Sequence, residues 1–123
     1  MRQALLILTC ALLAGCPPYL KIYVHNDSKD TIRVESLPKQ NQVTTIRAGR
    51  AKVIQAGSVD YVCFELSTGR DARIYGIDSN SGPYTKSTAY GGRLDFYFAG
   101  DAMYVRSGTR ERLEIFAQAQ CTE

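Results

Sequence analysis

Beyond residue 19, apolar and polar residues alternate in short runs, and nowhere do they recur with the period of a helix. Leu20, Ile22 and Val24 are separated by Lys21 and Tyr23, and the cluster His25-Asn26-Asp27-Ser28-Lys29-Asp30 then supplies a turn. Thr31 to Glu35 alternates again, Pro38 to Asn41 forms a loop, and Val43 to Ile46 and Ala51 to Ile54 predict strands around Gly49. After Ala56-Gly57-Ser58, the near-continuous apolar run Val59 to Leu66 reads as a core strand buried on both faces. Ala72 to Ile77, Leu94 to Phe98, Ala102 to Arg106 and Arg112 to Ala117 follow, joined by turns at Gly69, Gly100-Asp101 and Gly108. The longest irregular stretch, Asp78 to Gly92, is punctuated by Gly82-Pro83 and Gly91-Gly92. Short strands at such regular spacing predict an all-β fold, a small antiparallel β-sandwich or barrel of about seven to eight strands. It occupies residues 20–123 as a single domain.

The first 19 residues follow a different pattern. Met1-Arg2-Gln3 is a short basic start, and Ala4 to Leu13 is a run of roughly ten apolar residues, half of what a membrane-spanning helix requires. A run of this length behind a basic flank reads as the hydrophobic region of a secretory signal. It ends in Leu13-Ala14-Gly15-Cys16, followed by Pro17-Pro18. These four residues resemble the lipobox of bacterial lipoproteins. The resemblance implies a signal peptide over residues 1–15 and acylation of the Cys16 thiol, with cleavage just before it. Residues 16–19 would then be a lipidated cysteine and a proline-stiffened spacer. Several acyl chains at about 0.8 kcal/mol per buried methylene make such an anchor practically permanent. With Pro17 rather than aspartate after the cysteine, family sorting points to the outer membrane of a two-membrane bacterium, the domain facing the periplasm.

Composition narrows the chemistry. A chain of 123 residues and 13.6 kDa carries one domain, and 45% hydrophobic residues supply it with a core. The net charge is +3, from 15 Lys+Arg against 12 Asp+Glu scattered along the sequence, too balanced for a dedicated nucleic-acid binder. One histidine and no tryptophan exclude a histidine-rich metal site and a catalytic network needing a second imidazole. Of four cysteines, Cys10 leaves with the signal and Cys16 is acylated, so Cys63 and Cys121 remain. A pair left over in an exported domain is most simply a disulfide. The rival, a reactive Cys63 with His25 as base, places a thiolate inside the apolar run Tyr61-Val62-Cys63-Phe64, where burial opposes ionisation.

No metal-ligand spacing, phosphate-binding loop or nucleophile elbow occurs, so neither a cofactor nor catalysis is expected. His25, beside a polar turn, reads as a surface residue; Asp78, Asp95 and Asp101 read as turn and exposed-strand residues. The second half is richer. Tyr75, Tyr84, Tyr90, Tyr97 and Tyr104 are interleaved with Arg70, Arg73, Arg93 and Arg106, and tyrosine and arginine are enriched at binding hot spots. Tyr97 and Tyr104 alternate with Phe96/Phe98 and Met103/Val105, which places them on the face away from the core. Tyr84, Lys86, Tyr90, Arg93, Tyr97 and Tyr104 are therefore the candidate binding surface, with Asp78 to Gly92 as the candidate binding loop. The reading that β-propensity favours is that the tyrosines simply pave a half-buried sheet.

Tyr61-Val62-Cys63, Ser81-Gly82-Pro83-Tyr84, Gly100-Asp101-Ala102 and Cys121 also resemble, over about half the chain, the periplasmic lipoprotein inhibitors of chicken-type lysozyme. The loop is one residue shorter than that family's, and Ala99 stands where the family carries lysine. This resemblance implies a small β-barrel that plugs the acidic cleft of a muramidase, with Lys86 or Arg93 supplying the charge. The main expectation is a non-catalytic envelope lipoprotein, held to the membrane by Cys16 and binding another envelope protein; the inhibitor is the alternative, and glycan binding by tyrosine stacking a third.

Overall fold

The computed structural model describes residues 20–37, 42–57, 61–78, 92–108 and 111–121, and within them the chain is all β, without a helix. Nine strands form among the described residues: β1 (Leu20–Asn26), β2 (Ile32–Ser36), β3 (Val43–Ile46), β4 (Ala51–Gly57), β5 (Tyr61–Ser67), β6 (Ala72–Asp78), β7 (Arg93–Phe98), β8 (Met103–Ser107) and β9 (Leu113–Ile115). They build two sheets that pack as a sandwich, a five-stranded one in the order β4-β1-β7-β8-β9 and a four-stranded one in the order β3-β2-β5-β6. The segments follow the alternation pattern, with one strand more than the seven or eight expected.

One pairing departs from the antiparallel expectation. β1 lies parallel to β7, with Tyr23 opposite Asp95 and His25 opposite Tyr97. The first strand thus lies inside its sheet, antiparallel to β4 on one side and parallel to β7 on the other. Residues 72 apart in sequence come into register this way, and no local pattern encodes it.

The core follows from the period of two. Ile22 and Val24 of β1, Leu94, Phe96 and Phe98 of β7, and Met103 and Val105 of β8 point inward from one sheet; Ile32, Val34, Ile46, Val62, Phe64, Leu66, Tyr75 and Ile77 point inward from the other. Phe64 meets Phe96 edge-to-face across the sandwich at 4.9 Å between centroids. Tyr75, grouped with the binding tyrosines by its position in sequence, is instead a core residue, 2% exposed. Its register opposite Phe64 decides this.

At the loop end, Asn26 is fully buried and fully satisfied. Its amide nitrogen donates to the carbonyls of Asp30 and Ile46 at 2.7 and 3.0 Å, and its oxygen accepts from the backbone and hydroxyl of Ser28. The turns beside it use glycine where the backbone is left-handed: Gly49 (φ 76°), whose N–H donates to Asn26 O, and Gly100 (φ 96°) in the β7–β8 hairpin.

The near-continuous burial of β5 has a specific cause. Val62, Phe64 and Leu66 face the core, whereas Cys63 faces outward and is covered by the C-terminal segment. After β9 the chain leaves the five-stranded sheet and crosses to the other. There Gln118 N–H donates to Ile74 O at 2.7 Å, its side chain joins Tyr61 OH to Gly76 O, and Cys121 is disulfide-bonded to Cys63. The expected disulfide is therefore formed, and it seals one side of the sandwich. Gly76 sits under the Tyr61 ring: a Cβ there would lie 2.7 Å from the hydroxyl and 3.1 Å from two ring carbons. Gly76→Ala is expected to push Tyr61 off Gln118 and to lower stability by about 1–2 kcal/mol, measured by urea unfolding.

Candidate functional site: the outer face of the five-stranded sheet

The core residues of β1, β7 and β8 leave Lys21, Tyr23, His25, Arg93, Asp95, Tyr97, Tyr104 and Arg106 on the opposite face of the sheet. These side chains do not stand separately in solvent. Asp95, expected to be an exposed strand residue, is only 4% exposed and anchors the face. Arg93, two residues earlier on the same side of β7, grips its carboxylate with Nε to both oxygens and Nη2 to Oδ1 at 2.8–3.1 Å. From the parallel neighbour, His25 Nε2 meets Asp95 Oδ1 at 2.7 Å. Burial alone would raise the Asp95 pKa; the hydrogen bonds from Arg93, then from His25, with the Arg93 charge, outweigh it and hold the carboxyl below its ordinary value.

Aromatic rings complete the assembly. The Arg93 guanidinium lies over the Tyr23 ring, 3.9 Å from its centroid. His25 stacks on Tyr97 at 4.3 Å with 15° between planes, and the Arg112 guanidinium lies 3.6 Å from the Tyr97 centroid. Two planar groups so close to one ring must occupy its opposite faces. Tyr97 is therefore the middle layer of a stack running His25, Tyr97, Arg112, its faces used and only its edge presented outward. This closes Tyr97 as a stacking platform for a sugar ring. Beyond it, Tyr104 pairs with Tyr97 on one side and Glu114 on the other, and Phe116, 73% exposed, marks the rim.

Of the residues chosen from sequence, Arg93, Tyr97 and Tyr104 come together on this face. Tyr84, Lys86 and Tyr90, like most of the stretch Asp78 to Gly92, lie outside the described residues, as do Cys16 and the segment before it. Sequence reasoning missed Tyr23, His25, Asp95 and Arg112. Their alternation phase was readable within each segment, but the parallel β1–β7 register that joins them was not. His25 does not meet Cys63, which is disulfide-bonded on the other sheet. Among the described residues, no group of three or more His, Cys, Asp or Glu side chains is placed to hold a metal ion. A separate pocket of about 130 Å³ opens at the loop end, lined by Ser28, Asp30, Thr68, Asp71, Arg73 and Gly100; there Asp71 and Arg73 pair with each other at 2.8 Å.

No family model, curated protein or solved structure matches this chain.

Proposed function

We propose that this protein is a non-catalytic, lipid-anchored envelope protein whose outer five-stranded face docks another envelope protein. The observation that carries the reading is the Tyr23/Arg93/Asp95/His25/Tyr97/Arg112 assembly. Its side chains are held in place before any partner arrives, so little rotamer entropy remains to be lost on binding. Aromatic and arginine side chains on a flat, rigid surface are the composition of protein interfaces, whereas small-molecule sites are concave. An anchor at Cys16 would precede Leu20 by four residues, a reach of about 14 Å. The membrane would then lie toward the Leu20 and Arg93 end of the sheet, with Tyr97 further out.

The inhibitor reading is the alternative. Lys86 lies outside the described residues, and the Arg93 guanidinium is already engaged by Asp95 and Tyr23. Docking is tested by purifying the tagged, lipidated protein from cross-linked, gently solubilised envelopes and reading co-purified proteins by mass spectrometry. Wild type is expected to bring down a stoichiometric envelope protein, and a folded Tyr97→Ala/Arg112→Ala variant to lose it at least tenfold, the effect of removing one hot-spot pair. Equal recovery by both, or no enriched partner, overturns the proposal.

A further inference from the structure

Arg106 stands apart in this network. It lies on β8 directly opposite Asp95 of β7, yet its buried Nε has no hydrogen-bond acceptor. Asp95 does not supply one: its oxygens receive three contacts from Arg93 and one from His25, and neither oxygen bonds the Arg106 Nε. On the other side, β9 pairs only with Met103 to Val105, and its register continued by one residue sets Arg112 against Arg106. Glu114, opposite Tyr104, makes no hydrogen bond to that Nε. A buried donor without an acceptor is disfavoured and rare in folded proteins. Here it sits on a face where Lys21, Arg93, Arg106 and Arg112 stand against Asp95, Glu114 and Asp27, with Asp95 paired to Arg93 and Asp27 4.0 Å from Arg112.

Resting on the proposed docking function, we infer that Arg106 is the anchoring donor for a carboxylate on an acidic segment of the partner protein. Chemistry selects this class. An arginine fork suits a carboxylate, whose two oxygens accept parallel N–H bonds. The occupied faces of Tyr97 argue against an acidic sugar stacking beside the cation, while exposed Phe116 and half-buried Tyr104 offer contact to apolar and backbone groups of a polypeptide. The residue is only half-buried although its Nε is out of contact with solvent, so a carboxylate reaches that nitrogen by way of an outward swing of the side chain.

The test is NMR of the full lipidated chain in detergent micelles, titrated with a hexaglutamate peptide and followed at the Arg106 Nε–Hε and Tyr104 amide signals. Hexaglutamate is expected to shift both saturably, and a hexaglutamine peptide neither. Read at Tyr104, affinity is expected to fall about tenfold in Arg106→Gln, the loss of one charge-assisted contact. Arg106→Lys, which keeps the charge and most of the stem, is expected to weaken binding as well. Arg33→Gln, the same charge change on an exposed position of the other sheet, is expected to leave it unchanged. An unmoved Arg106 signal, an equal loss in Arg33→Gln, or an equal response to trigalacturonate or inorganic phosphate overturns the inference. The two proposals fail separately. If the envelope partner is captured equally by wild type and Arg106→Gln, the carboxylate site falls and docking stands. If hexaglutamate seats on Arg106 but no envelope partner is captured, docking falls and the carboxylate site stands.

Discussion

Loss of the Cys63–Cys121 disulfide is expected to destabilise the domain by about 4 kcal/mol, a large part of the stability of a domain this size. The bond spans 58 residues of sequence. Its loss would leave the C-terminal crossing held to β6 by one bridge, Ile74 to Gln118, and by the Gln118 side chain. β9, three residues long and at the edge of its sheet, would have lost its tether beyond Ile115. The comparison to make is urea unfolding of wild type against Cys63→Ala/Cys121→Ala, a pair that leaves no free thiol in the domain. Hydrogen exchange of the Gln118 amide gives the local signature: protection is expected to fall by more than that of β1 and β7. A loss under about 1 kcal/mol would mean the crossing is held by contacts other than the bond.

Replacing Asp95 is expected to have the second-largest effect. Its side chain is 6% exposed, while its partners Arg93 and His25 are 52% and 24% exposed and regain water when it is removed. Asp95→Ala is therefore expected to cost about 2–3 kcal/mol, less than breaking a fully buried pair. The pH dependence identifies the cause. Because the folded state holds the Asp95 pKa below its ordinary value, the unfolded chain takes up the proton first as pH falls. The stabilisation is full above the ordinary aspartate range and declines through that range until pH drops below the folded value. Asp95→Asn is expected to remove this part of the acid dependence. The stability difference between wild type and Asp95→Asn, measured by urea unfolding at a series of pH values, should be constant near neutrality and shrink in acid. A difference independent of pH would show that Asp95 contributes packing and hydrogen bonds and not its charge.

The fold was largely legible because most strands carry their own alternation. Ile22 and Val24, Val62, Phe64 and Leu66, and Phe96 and Phe98 announce inward positions from sequence alone, and Gly100 marks a hairpin that does form. The disulfide was legible for a compositional reason, since the lipobox reading leaves two cysteines to pair. The site was legible only in part. Tyr97 and Tyr104 could be placed on an outer face by parity with their apolar neighbours, but Asp95 looked like an ordinary exposed strand acid. Its burial depends on Arg93 two residues away and on His25 across a parallel ladder 70 residues distant in sequence. Tyr75 shows the converse error: a tyrosine near arginines in sequence turned inward because its partner across the ladder is Phe64. Parity belongs to one strand and can be read; register between distant strands belongs to the fold and cannot.

The central claim is that the outer five-stranded face docks an envelope protein, and site-specific photo-crosslinking in the native host tests it most directly. A photoreactive phenylalanine analogue is placed at Tyr104 or Phe116, on and beside the proposed face, and in a separate strain at Arg33, exposed on the other sheet. Irradiation is expected to give a discrete higher-mass adduct from positions 104 and 116 and none from 33. Adducts from position 33 alone, or from none of the three, would contradict the account.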